Sequence, residues 1–148
     1  MIVKNFEISK IDIFKHNFIL FYGKNEGFKK ESIKTILKDN TNLNKYQERE
    51  ILENYDSFLD GIRSKSLFED KKIVIINSVT DKILNVINEL FDMKVDDLVI
   101  ILNADNLEKK SKLRSFFEKN TNCIAVAFYP DNDEILFKLA SNFLRNKK

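Results

Sequence analysis

Four short apolar runs constrain this chain most: Phe18 to Tyr22 (FILFY), Ile73 to Ile76 (IVII), Leu98 to Leu102 (LVIIL) and Cys123 to Phe128 (CIAVAF). Three are strongly Ile/Val-rich, and they lack the apolar–polar alternation of a strand with one wet face. They read as strands covered on both sides, as in a parallel sheet between helices. Between them apolar residues recur at helical spacing: Ile33, Ile36 and Leu37; Tyr55, Phe58, Leu59 and Ile62; Ile83, Val86, Ile87 and Leu90; Leu113, Phe116 and Phe117; Leu136, Leu139, Ala140, Phe143 and Leu144. Asp131 and Glu134, just after Pro130, form a capping pair for the last of these.

This alternation predicts a three-layer αβα domain with right-handed crossovers. The stretch from Lys38 to Glu50 is polar and Asn-rich, and Glu50 to Leu52 is the expected position of a weak additional edge strand. At 148 residues the chain is expected to form one domain spanning 1–148. No apolar run reaches the roughly 18 residues of a transmembrane helix and no signal-peptide pattern opens the chain, so the expected location is cytoplasmic.

The charge balance is nearly even, 25 basic against 23 acidic residues, so no strong overall field draws the chain to nucleic acid or lipid. The basic set is 21 Lys and 4 Arg, with 17 Asn and 18 Ile alongside, a bias that AT-rich codon usage produces by itself. Specific base readout favours Arg, which is scarce here. One Cys and one His cannot assemble a Cys/His zinc site, and neither a metal nor any other cofactor is expected.

After the first apolar run comes Gly23-Lys24-Asn25-Glu26-Gly27-Phe28-Lys29-Lys30, where a phosphate-binding loop would sit. Such a loop needs two glycines five residues apart, then Lys, then a hydroxyl for magnesium. With Gly23 first, Phe28 stands at the second glycine, Lys29 at the lysine and Lys30 at the hydroxyl. The run Ile73–Ile76 ends in Asn77, where a nucleotide hydrolase would carry an acid facing the magnesium. Gly23, Gly27 and Lys29 therefore mark a degenerate P-loop in which no nucleotide is expected, and a tight turn feeding a helix accounts for the glycines. Asn103, at the end of the next run, takes the place of a polar sensing residue or of an ordinary strand-end turn. There is no nucleophile elbow, Cys123 sits inside an apolar strand as a buried thiol, and His16 is expected at the surface. The pair Asp96-Asp97 and Glu118 read as solvated acids.

The segment Ile62-Arg63-Ser64-Lys65-Ser66-Leu67-Phe68-Glu69-Asp70 isolates two large apolar residues between a helix end and a charged turn. Leu67 and Phe68 either fold back and pin the helix to the sheet, or stand out as a contact site in a surface connection.

The combination FILFYGKNEGFKKE, SKSLFEDKKIVIIN, DDLVIILNADNLEKKSKLRSFFEK and FYPD before a final helix resembles the N-terminal domain of the delta subunit of bacterial DNA polymerase III, over about residues 15 to 145. The resemblance implies an AAA+/P-loop NTPase-like fold with strand order 5-1-4-3-2 and no working ATP site. It implies a non-catalytic clamp-loader subunit that binds and helps open the sliding clamp (the beta subunit) during DNA replication. The clamp-contacting tip of the family matches Ser66, Leu67 and Phe68, with Lys65 where some relatives carry an apolar residue. Other clamp-loader subunits are implied partners of the full-length protein, and DNA only an indirect or weak one. The lid and collar domains of full-length relatives have no counterpart here, so an isolated N-terminal domain is expected. Two other readings stay open on the residues alone: a divergent P-loop NTPase or kinase using Lys29, and a single-strand binder using Lys109, Lys110 and Lys112.

Overall fold

The computed structural model describes residues 1–13, 15–38, 43–63, 72–94 and 98–128. Its strands are β1 (Phe18–Tyr22), β2 (Leu43–Gln47), β3 (Lys72–Val79), β4 (Leu98–Ala104) and β5 (Cys123–Ala127). Its helices are α1 (Glu26–Leu37), α2 (Glu48–Glu53), α3 (Tyr55–Arg63), α4 (Leu84–Met93) and α5 (Lys112–Lys119), with a 3₁₀ helix at Asn5–Lys10. The strands form one all-parallel sheet in the order β2-β3-β4-β1-β5, the expected 5-1-4-3-2. Phe18 faces Ile100 of β4 on one side and Cys123 of β5 on the other.

Each strand divides its residues between two cores. Phe18, Leu20, Tyr22, Val74, Ile76, Ile100, Leu102 and Ala125 point to the face covered by α2 to α5. Ile19, Phe21, Ile73, Ile75, Val99, Ile101 and Val126 point to the face covered by α1 and the 3₁₀ helix. Both faces are dry, so a purely apolar run suits each central strand, and burying each Ile, Leu or Val contributes roughly 1.5–3 kcal/mol.

Along the outer edge of β5 lies the N-terminal segment, which the sequence reading did not anticipate. Val3 N–H donates to Ala125 O (3.0 Å), and Ala125 N–H donates to Met1 O (2.9 Å). The Met1 amine donates to the carbonyls of Phe117, Asn120 and Cys123 at 2.7, 2.8 and 2.7 Å. A cation thus meets the carbonyl end of α5, where the helix dipole favours it, and the arm shields a free sheet edge.

The expected strand at Glu50 to Leu52 is not there. The edge strand runs earlier, over Leu43–Gln47, and Glu50 to Leu52 belong to α2. The reason lies in Glu48 and Ile51: Ile51 is buried against the sheet, and the Glu48 carboxylate accepts from Thr80 N–H (2.8 Å) and Thr80 Oγ1 (3.0 Å). Those contacts need a helical turn directly after β2. The expected final helix after Pro130 lies outside the described residues.

A second carboxylate fixes the other side of this junction. Asp81 Oδ1 accepts from Ser111 Oγ (2.5 Å) and Leu113 N–H (3.2 Å), and Oδ2 accepts from Lys112 N–H (3.3 Å). Asp81 therefore satisfies open donors at the start of α5 from a different element. The Ser111 hydroxyl, then the Leu113 and Lys112 amides, hold its carboxyl below the usual carboxylate value. A depressed folded-state value means that the carboxylate's stabilisation is present above the unfolded value near 3.8 and is lost as pH falls through the folded one. Asp81→Asn should lower stability at neutral pH by about 1 kcal/mol, discounted for the exposure of this residue. In urea titrations at several pH values, the gap between wild type and Asp81→Asn should close below pH 4.

Candidate functional site: a closed phosphate loop

The turn between β1 and α1 stands where sequence spacing puts it, at the carboxyl ends of the parallel strands. Its backbone geometry is set by a distant segment. Gly23 has φ +118°, and a Cβ there would lie 1.9 Å from the carbonyl oxygen of Phe128. Only a residue without a side chain admits the chain that follows β5 at this distance. Phe128 N–H donates to Tyr22 O (2.7 Å), Asn25 N–H to Phe128 O (3.3 Å) and Gly23 N–H to Asp105 O (2.9 Å). Phe28 N–H donates to Asn25 Oδ1 at 3.2 Å, the N-cap of α1. The loop amides of Gly23, Asn25 and Phe28 are thus engaged by protein acceptors, whereas a phosphate loop aims its amides at the ligand.

Phe28, in the place of the second glycine, is half-buried edge-on to Phe128 with centroids 5.2 Å apart. Phe128 meets Phe21 in the same way at 5.2 Å. An aromatic trio thus fills the volume beside the turn. Gly27, by contrast, has no heavy atom within 4 Å of where a Cβ would be, so close approach does not explain its glycine.

Lys29 is fully buried. Its Nζ donates to Glu26 Oε1 at 2.6 Å and to Ala104 O at 2.8 Å, bridging α1 to the end of β4. A buried ammonium is tolerated only when paired and hydrogen-bonded, and this one has both partners. The residue that would reach a terminal phosphate instead ties a helix to the sheet.

At the neighbouring strand ends Asn103 Nδ2 donates to Asn77 Oδ1 (3.1 Å), in register across β3 and β4. One neutral amide donates to another where a hydrolase sets an acid and a sensing group. Asn103 Oδ1 is buried and has no hydrogen-bond partner. Among the described residues no group of three or more His, Cys, Asp or Glu is placed to hold a metal ion.

Of the other residues singled out, Cys123 is buried in β5 and desolvation pushes its thiol up to about 11, which suits an inert core residue. His16 is not the surface side chain expected: it is half-buried before β1, with Nδ1 inaccessible and unpartnered. Nor is Glu118 a freely solvated acid, since Arg114 donates to it along α5 and lies over the Tyr22 ring at 4.9 Å. Ser66, Leu67 and Phe68 lie outside the described residues, as do Asp96 and Asp97. The closing contacts from Glu26, Ala104 and Phe128 were not foreseen; the i,i+3 spacing of Glu26 and Lys29 was the one local sign of them.

The sequence profile of the family described as DNA polymerase III, delta subunit, matches residues 19–127. No curated protein is significantly similar to the chain. Among solved structures, the chain is similar to the Bacillus subtilis DNA clamp loader delta protein (YqeN), with a TM-score of 0.71 at 15% identity. The match covers 97% of this chain and 48% of that one, so the chain spans about half the length of this structural relative. The five-stranded parallel sheet flanked by helices is therefore an α/β fold shared with this relative.

Gly23→Ala should be strongly destabilising, by about 3 kcal/mol or more, because strain at positive φ adds to a backbone clash. Thermal melting of the variant is the check, with a marked drop expected. Lys29→Ala should cost roughly 2–4 kcal/mol in urea unfolding, since it empties packed volume and leaves Glu26 and Ala104 O without their cation. A nucleotide-binding lysine would behave otherwise, with stability retained and Mg-ATP binding lost.

Proposed function

This chain belongs to the DNA polymerase III delta subunit family, and from that premise we propose that it binds the sliding clamp and helps open it during clamp loading. The observation that carries the reading is the family match over residues 19–127, across the whole parallel sheet's central strands. The closed loop supports a non-catalytic role in the same complex: Lys29 faces inward, and the amides around Gly23 are bonded to protein. Nucleotide hydrolysis then belongs to other subunits of the loader, and this domain contributes contacts instead of chemistry.

The proposed contact is Ser66-Leu67-Phe68, on the connection between α3 and β3. A Leu and a Phe together contribute roughly 3–6 kcal/mol gross when buried in a partner's apolar pocket, before association and ordering costs. That is enough to anchor a small interface, in which a few large apolar residues usually dominate. The 148 residues are proposed to form one clamp-binding domain. Its net charge of +2 suits indirect or weak contact with DNA.

Calorimetric titration of the sliding clamp with wild type and with Leu67→Ala and Phe68→Ala tests this. Each substitution should weaken binding about tenfold or more, near 1.5–3 kcal/mol, with circular dichroism unchanged. Normal binding by a folded double variant would remove the tip from the interface. Variants that fail to fold would instead assign Leu67 and Phe68 to core packing.

A further inference from the structure

A cleft of about 890 Å³ opens beside the closed loop, between α1 and the carboxyl ends of β2, β3 and β4. It lies within the usual size range of small-molecule sites, and open parallel sheets hold their ligands outside this end of the strands. Its walls combine two chemistries. Ile33, Leu37, Leu43, Ile75 and Val79 supply an apolar lining. Around it stand Lys30 and Lys34, one turn apart on α1, and Lys45 on β2.

Among the described residues the cationic side is not balanced within the cleft. Of the lining carboxylates, Glu26 is already bonded to Lys29, which leaves Asp105. Glu31 approaches Lys34 only at 3.8 Å, with both side chains exposed. Lysines sharing one concavity repel each other, and an anion between them relieves that repulsion. The rim is also strained: β3 breaks register between Asn77 and Val79, and Ser78, which lines the cleft, has φ 57°. Bulges and left-handed non-glycine residues of this kind gather at binding sites.

We propose that this cleft binds a small amphiphilic anion, an apolar body carrying a phosphate, with the body against Ile33, Leu43 and Ile75 and the phosphate among Lys30, Lys34 and Lys45. The cleft borders the degenerate loop and shares Gly27 and Lys30 with it, but it uses lysine side chains in place of the loop amides already engaged by Asp105 and Phe128. Ammonium groups on flexible stems suit a phosphate held as a point charge. The proposal does not depend on clamp binding.

Phenyl phosphate is the probe, titrated into the ¹⁵N-labelled 148-residue chain with amide shifts followed by NMR. Saturable shifts should appear at Ile33, Leu43, Ile75 and Asn77. Inorganic phosphate and phenol, each alone, should bind at least about tenfold more weakly, since each lacks one half of the complementarity. Lys34→Glu/Lys45→Glu should also lose about tenfold or more. The milder Lys34→Gln/Lys45→Gln serves if the reversal disturbs the fold. Absence of saturable shifts, unchanged affinity in a folded double variant, or equal binding of inorganic phosphate would overturn the proposal. Shifts confined to Gly23–Phe28 would overturn it too, by placing the phosphate in the loop.

Discussion

A parallel sheet with both faces dry is the constraint on which the rest of this structure depends. Ile19, Leu20 and Phe21 of β1 and Val99, Ile100, Ile101 and Leu102 of β4 have no solvent exposure, so the two central strands need cover above and below along their length. Parallel pairing also sends every strand out of the sheet in the same direction. The turn at Gly23, the Asn77–Asn103 pair, the Asp105 carbonyl and the Phe128 backbone are gathered on one rim for that reason. What happens on the rim follows from which groups the five strands deliver there.

In a nucleotide-binding relative of this architecture, the rim holds backbone amides, a lysine and an acid whose needs are met by phosphate and magnesium. Here the same positions satisfy one another. Phe128 O takes the Asn25 amide, Asp105 O takes the Gly23 amide, and Asn77 Oδ1 accepts a hydrogen bond from Asn103 Nδ2. The Lys29 ammonium is held by Glu26 and Ala104. A buried polar group left unpaired costs more than a formed hydrogen bond returns, so an interior closed without a ligand draws these contacts from the protein, with Asn103 Oδ1 the exception on this rim. The result fixes α1 against β4 without a nucleotide. That rigidity suits the proposed role of presenting a contact surface.

The junction after β3 is organised on the same principle. Glu48 reaches from α2 to Thr80, and Asp81 reaches from the end of the strand to the first turn of α5. Two carboxylates thus answer donors that no backbone partner could reach, and they fix where α2 and α5 begin. This is also where the sequence misleads. Glu50, Ile51 and Leu52 look like a weak edge strand, yet the strand is Leu43–Gln47, because an edge strand with one neighbour tolerates polar residues such as Asn44 and Lys45. Its alternation is too shallow to be read locally, and the helical turn after it is stabilised by Thr80, 32 residues away.

The sequence by itself determined the layered α/β fold, since Ile/Val-rich runs without alternation fit strands covered on both faces and the intervening 3.6-residue spacing fits the covering helices. It also determined that a loop opening at Gly23 lacks its second glycine and magnesium hydroxyl, because those requirements belong to residue types at fixed spacing. Tertiary structure alone decided how that loop is closed. Phe128 approaches Gly23 only because β5 lies beside β1, and Lys29 meets Ala104 across 75 residues of chain only because β4 does. The same holds for the cleft lined by Lys34 and Lys45, which come from elements that the sheet order brings together. Local pattern fixes which face of an element is apolar; strand order fixes which distant backbone and side-chain groups meet at its end.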